Sequence, residues 1–144
     1  MHAFPHLYQV ESTASPAGNV ALAADGLPGI ESAPPKEFDG PGNLWSPETL
    51  LTAAVNDCFV LGFRAIAAAS KFQWTSLASK TEGTLDRVEG KMRFTKFVTH
   101  ATLSIPAGTD PERAKKLLEK AEQVCLIANS LSAERHLEAT VTVG

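Results

Sequence analysis

Cys58 and Cys125 are the two cysteines of the chain, 67 positions apart, and are its best candidates for covalent chemistry. A thiolate attacks peroxides and disulfides, yet free cysteine is also among the most buried residue types. Cys58 falls on an apolar helical stripe, a placement that on spacing alone favours burial without chemistry. A thiol ordinarily ionises near pH ~8.5, so a working cysteine needs a positive neighbour or a shell of hydrogen-bond donors. Cys125 lies where a second helix ends or breaks, just before LIANSL, which would suit a partly reachable thiol. Distance along the chain does not say whether the sulfurs meet, because a disulfide needs Cα atoms about 4.4–6.8 Å apart. Two unrelated buried cysteines fit equally well.

Glu48 is the nearest acid of interest, and a first-turn acid needs no further role than to complement the helix dipole. It precedes Cys58 by ten residues, or ~15 Å along a straight helix. For both to serve one site, the helix must break or Glu48 must come from a second subunit. His2, His6, His100 and His136 show no ligand spacing with each other or with the cysteines, so no metal site is expected. No GxGxxG follows a strand, and neither a P-loop nor GxSxG is present, so no nucleotide cofactor or serine nucleophile is expected.

The 144 residues carry a net charge of −3 without a Lys/Arg run, which argues against nucleic acid or an anionic membrane surface as partner. From Met1 to Phe63 the only base is Lys36, against Glu11, Asp25, Glu31, Glu37, Asp39, Glu48 and Asp57. MHAFPHLYQV lacks a basic segment leading into an apolar one, so no secretory signal is expected and cytoplasm is the default compartment. The apolar stretch around Cys58 is broken by Asn56, Asp57 and Arg64, so no membrane span is expected.

The elements that must position these groups read as one domain, 1–144. An N-terminal hairpin and loop occupy 1–45, with strands at His6–Thr13 and Asn19–Ala24 around SPAG, then a long Gly/Pro-rich connection. A central helix takes 46–71. Ser46 is its N-cap and Pro47 its first residue, and Leu51, Ala54, Val55, Cys58, Leu61, Gly62, Ala65, Ile66 and Ala69 recur at 3/4 spacing. Such a helix should be buried by sheets or by another subunit. Residues 72–144 read β-β-α-β: strands at Trp74–Asp86 and Met92–Ile105 around RVEGK, a helix opened by Asp110-Pro111, and a closing strand Leu137–Val143. The order predicts an α+β fold with mostly antiparallel sheets.

FDGPGNLWSPETLLTAAVNDCF resembles the signature of the OsmC/Ohr family of osmotically inducible and organic-hydroperoxide-resistance proteins, and VCLIANSL resembles its second cysteine segment. The resemblance covers nearly the whole chain in element order. It implies an OsmC-like fold, with antiparallel sheets around a long buried central helix plus a second helix, assembled as an intertwined homodimer. It also implies a thiol-dependent peroxidase acting on organic hydroperoxides, with Cys58 peroxidatic, Cys125 resolving, Glu48 the site acid and a small dithiol of the lipoyl type as reductant. The sequence departs from the family pattern in having no arginine before Arg64 and in having Leu126 where the family has proline. Lys36 is the first candidate for a replacement cation, followed by Arg93, Lys96 and His100. The alternatives are a non-peroxidatic member that binds a hydrophobic small molecule in the dimer cleft, and a redox sensor that forms the disulfide without turnover.

Overall fold

The computed structural model describes all 144 residues, which divide into two compact units, Met1–Leu50 and Leu51–Gly144. The first unit holds a three-stranded antiparallel sheet of β1 (Glu11–Thr13), β2 (Val20–Ala23) and β3 (Ile30–Ser32) in that order. The first strand is much shorter than the predicted His6–Thr13. The third was not expected, because Ile30–Ser32 lies among glycines and prolines that argue for loop. A 3₁₀ turn at Lys36–Phe38 follows. Gly40 is required beside it: a Cβ there would stand 1.6 Å from the Pro34 carbonyl oxygen.

Helix α1 (Pro47–Ala69) starts where the sequence places it. Ser46 Oγ accepts from the Thr49 amide at 3.1 Å, and Thr49 Oγ1 accepts from the Ser46 amide at 2.9 Å. This is the reciprocal geometry of a capping box, with threonine in the position usually held by Glu or Gln. At the other end Lys71 takes a left-handed φ of 53° and the Phe72 amide donates to Ala67 C=O at 2.9 Å, closing the helix as a Schellman motif.

β4 (Ser76–Val88) and β5 (Lys91–Ile105) form the expected hairpin, turning on Glu89 and Gly90, both at positive φ. Asp110 caps α2 (Pro111–Gln123) by accepting from the Glu112 amide at 3.0 Å. After a short α3 (Leu126–Asn129), β6 (Glu134–Val143) joins the sheet in the order β4-β5-β6. β6 runs parallel to β5, so this sheet, expected to be mostly antiparallel, is mixed. The reason lies in the connection: α2 carries the chain back across the sheet, as parallel neighbours demand.

The main core lies where α1 and α2 cover this sheet, with Phe59, Phe63, Phe72, Leu103, Ile105 and Leu118 at its centre. α1 buries Val55, Phe59, Phe63 and Ala67, at every fourth position, so within the single chain it is covered along one narrow stripe and not all round. The predicted stripe is therefore rotated, since Leu61, Ala65 and Ala69 are exposed. By length and composition α1 would also pass for a membrane span. Asp57 and Arg64 on its exposed side, and Asn56 accepting from Ser79 at 2.7 Å and Thr81 at 3.1 Å, fit a helix on a sheet better than one in lipid.

Candidate thiol site

Cys58 immediately precedes the buried Phe59, which turns it ~100° away from the centre of the buried stripe. It is half-buried and opens onto a cleft of about 500 Å³ lined by Ala54, Asp57, Leu61, Gly62, Val124, Leu126 and Ile127. Apart from Asp57 and Cys58 itself, every side chain there is apolar. Cys125 lies in the link between α2 and α3, with an extended backbone (φ −62°, ψ 104°), and is only 3% exposed. The link brings it back onto α1, where its Sγ–H points at the Val55 carbonyl at 3.9 Å.

Both thiols are free, and Cys58 is close enough to Cys125 to bear on its titration. Burial pushes the Cys125 thiol above its ordinary value. The Ala128 backbone N–H opposes that push, the neighbouring Cys58 adds to it, and the positive charge of Arg135 opposes it. Desolvation dominates, because a thiolate loses more than a thiol on leaving water.

Arg135 was not among the cations singled out in the sequence. It lines a narrow crevice with Glu122, Cys125 and His136, and its Nε donates to Glu122 Oε1 at 2.7 Å. The cations predicted from the sequence have other surroundings. Lys36 packs its aliphatic stem against Gly42 within the first unit. Arg93 donates from Nη1 to the Phe94 carbonyl at 3.4 Å, His100 pairs with Glu138 at 2.9 Å on the exposed sheet face, and Lys96 is exposed. Glu48 is half-buried in the first turn of α1, on the same unbroken helix as Cys58. No group of three or more His, Cys, Asp or Glu side chains is arranged to hold a metal ion.

A half-buried thiol neighbouring a buried one, mounted on helices that cover a mixed sheet, makes this an α+β protein with a pair of free cysteines beside a cleft. Residues 40–140 match the family model described as OsmC-like protein. The chain is 29% identical over 115 residues to YmaD of Bacillus subtilis (strain 168), covering 76% of this chain and 77% of that one. It is 27% identical over 93 residues to Peroxiredoxin OsmC of Escherichia coli (strain K12), across 65% of this chain and 64% of that relative. An OsmC-like protein of unknown function from Vibrio cholerae superposes with a TM-score of 0.86 at 21% identity, covering 94% of this chain and 99% of the other. An organic hydroperoxide resistance protein OsmC from Legionella pneumophila gives 0.75 at 24% identity, over 97% and 99%. The chain belongs to the OsmC-like protein family and has its fold.

Proposed function

We propose that the chain is a thiol-dependent peroxidase that reduces organic hydroperoxides through Cys58 and Cys125. The observation that carries this reading is the nearness of the two free thiols, one open to a cleft and the other buried. The Cys58 thiolate attacks a hydroperoxide oxygen, the O–O bond breaks, an alcohol leaves and Cys58 becomes a sulfenic acid. The Cys125 thiolate then attacks the Cys58 sulfur, hydroxide leaves as water, and a disulfide forms. A small dithiol of the lipoyl type returns both residues to thiols by exchange. The aliphatic lining of the cleft favours an alkyl hydroperoxide over hydrogen peroxide, because it gives an alkyl tail apolar surface to cover.

Glu48 is the site acid in this reading. An unbroken helix holds it ~15 Å along the axis from its own Cys58, so it would serve the cleft of a second copy. Leu61, Val124 and Leu126, 49%, 51% and 66% exposed around the cleft, support a homodimer that covers them. Sedimentation at micromolar concentration should give a dimer, and a monomer would remove Glu48 from the mechanism.

The test of activity is consumption of cumene hydroperoxide with dithiothreitol as reductant. The wild type should turn over and Cys58→Ser should not. Equal rates in the two proteins would end the proposal. A peroxide-driven Cys58–Cys125 disulfide without turnover would instead mark a redox sensor.

A further inference from the structure

Arg135 makes contacts that the steps above leave unused. Its guanidinium joins the two ends of the segment that carries Cys125. Nε donates to the Glu122 carboxylate at 2.7 Å, another nitrogen donates to the Glu122 carbonyl, and Nη1 donates to the Asn129 side-chain oxygen at 2.5 Å. Glu122 stands three residues before Cys125 and Asn129 four after it. Inside the loop so closed, the Asn129 amide donates to the Cys125 carbonyl at 2.9 Å. Both side chains of the Arg135–Glu122 pair are less than a quarter exposed. The forked guanidinium makes the three contacts through three separate nitrogens.

We propose that Arg135 is a positioning residue for thiol exchange: it closes the segment that carries Cys125, and its charge eases the departure of the Cys125 sulfur when a thiol opens the Cys58–Cys125 disulfide. The inference rests on the reading that this pair forms a disulfide. In the step concerned, the thiolate of a small thiol bonds to Cys58 Sγ and the Cys58–Cys125 bond breaks. The electron pair stays on Cys125, giving a Cys58 mixed disulfide and a Cys125 thiolate. Cys58 is the sulfur on the cleft, so it is the one an incoming thiol reaches. The other half of the step depends on how well the buried sulfur bears charge, because a more acidic thiol leaves faster. Burial works against that charge and Arg135 works for it. The remaining titratable groups facing Cys125 are Cys58 from α1, Glu122 from α2, already engaged by Arg135, and His136 from β6.

The experiment begins with diamide, which forms the disulfide without any peroxidase step. Oxidised wild type, Arg135→Gln, Arg135→Lys and Glu122→Gln, each checked for folding by circular dichroism, are reopened with excess glutathione and quenched in acid for mass mapping. Glutathione should be found on Cys58. Arg135→Gln should reopen roughly tenfold more slowly than wild type, while Arg135→Lys, which keeps the charge, should recover most of that loss. Glu122→Gln removes the counter-charge and should reopen faster than wild type, whereas a purely structural clamp would make it slower or leave it unchanged. In a Cys58→Ser background, the 240 nm absorbance of the Cys125 thiolate should titrate at higher pH when Arg135→Gln is added than with the native arginine. Equal reopening rates in wild type and Arg135→Gln, or glutathione on Cys125, would overturn the proposal. If Arg135→Gln does not fold, a tenfold loss in Arg135→Lys or a slower Glu122→Gln overturns it alone. A wild type that forms no disulfide with diamide removes both this inference and the peroxidase reading. One that does so with diamide but ignores hydroperoxide loses only the peroxidase.

Discussion

Cys58 opens onto a cleft of about 500 Å³ lined, Asp57 apart, by apolar residues, while its neighbour Cys125 is 3% exposed in the link between α2 and α3. The backbone explains the difference. Cys58 sits in a regular helix, and its exposure follows from one step of ~100° away from the buried stripe. Cys125 sits at a break between helices, where an extended residue aims its side chain back toward α1. Adjacent sulfurs can therefore meet reagents differently without any difference in their own chemistry. Access belongs to one and a charged brace to the other.

The largest effect should come from removing the floor beneath both. Phe63 is fully buried and packs edge-on against Trp74, with ring centroids 5.3 Å apart. Phe63→Ala should cost about 3–5 kcal/mol in urea unfolding, through lost transfer energy and the cavity left behind. In that variant the two thiols should also alkylate at more similar rates. A cost below about 1 kcal/mol would mean that the α1–sheet core is not what holds the site. Next in size is the contrast itself. Iodoacetamide at pH 8 should modify Cys58 roughly a hundred times faster than Cys125 in the native protein, since Cys125 must wait for local opening and its thiol is held protonated by burial. Comparable rates would erase the distinction.

The helix signals around Cys58 were legible because each is local: Ser46 as cap, Pro47 as first residue, and a 3/4 apolar spacing. Periodicity gave the helix but not its rotation. Leu61, Ala65 and Ala69 are as apolar as the residues that are buried, and only Phe59 and Phe63 mark the true centre. Arg135 was missed for a related reason. The closing strand was expected to begin at Leu137, but it begins at Glu134. Read from there, alternation puts Arg135 on the same face as Leu137, Ala139 and Val141, which already implies a cation turned inward. The parallel pairing of β5 and β6 and the nearness of the thiols are long-range facts with no local signal. The family resemblance supplied the second of these as an expectation; spacing did not.

A smaller effect should separate the thiols by pH. Burial raises the Cys125 thiol in the folded chain, so between the unfolded and folded values the unfolded chain has released a proton that the folded one still holds. Stability then falls as pH rises. The Cys125 contribution is fully present below the unfolded value near ~8.5 and is lost as pH climbs toward the folded one. The urea midpoint of the wild type should therefore decline between about pH 8 and 10, and Cys125→Ala should flatten the decline. An unchanged slope in Cys125→Ala would assign the decline to other groups.

The smallest effect concerns the cleft alone. Gly62 stands one turn beyond Cys58 on α1, and a Cβ there would meet the Ala121 carbonyl oxygen at 3.9 Å, an ordinary contact. Helical side chains lean toward the N-terminal turn, so a methyl at 62 overlies the cleft beside Cys58, and it meets no atom of Arg135, Glu122 or Asn129 within 4 Å. Gly62→Ala should stabilise the fold by about 0.5–1 kcal/mol, because glycine loses more backbone entropy in a helix than alanine does. It should also slow alkylation of Cys58 by no more than a few-fold and leave the slow alkylation of Cys125 to follow stability only. If the methyl slowed both thiols equally, one common opening motion would govern them. The contrast would then lie in dynamics and not in the separate surroundings that a helix face and a helix break provide.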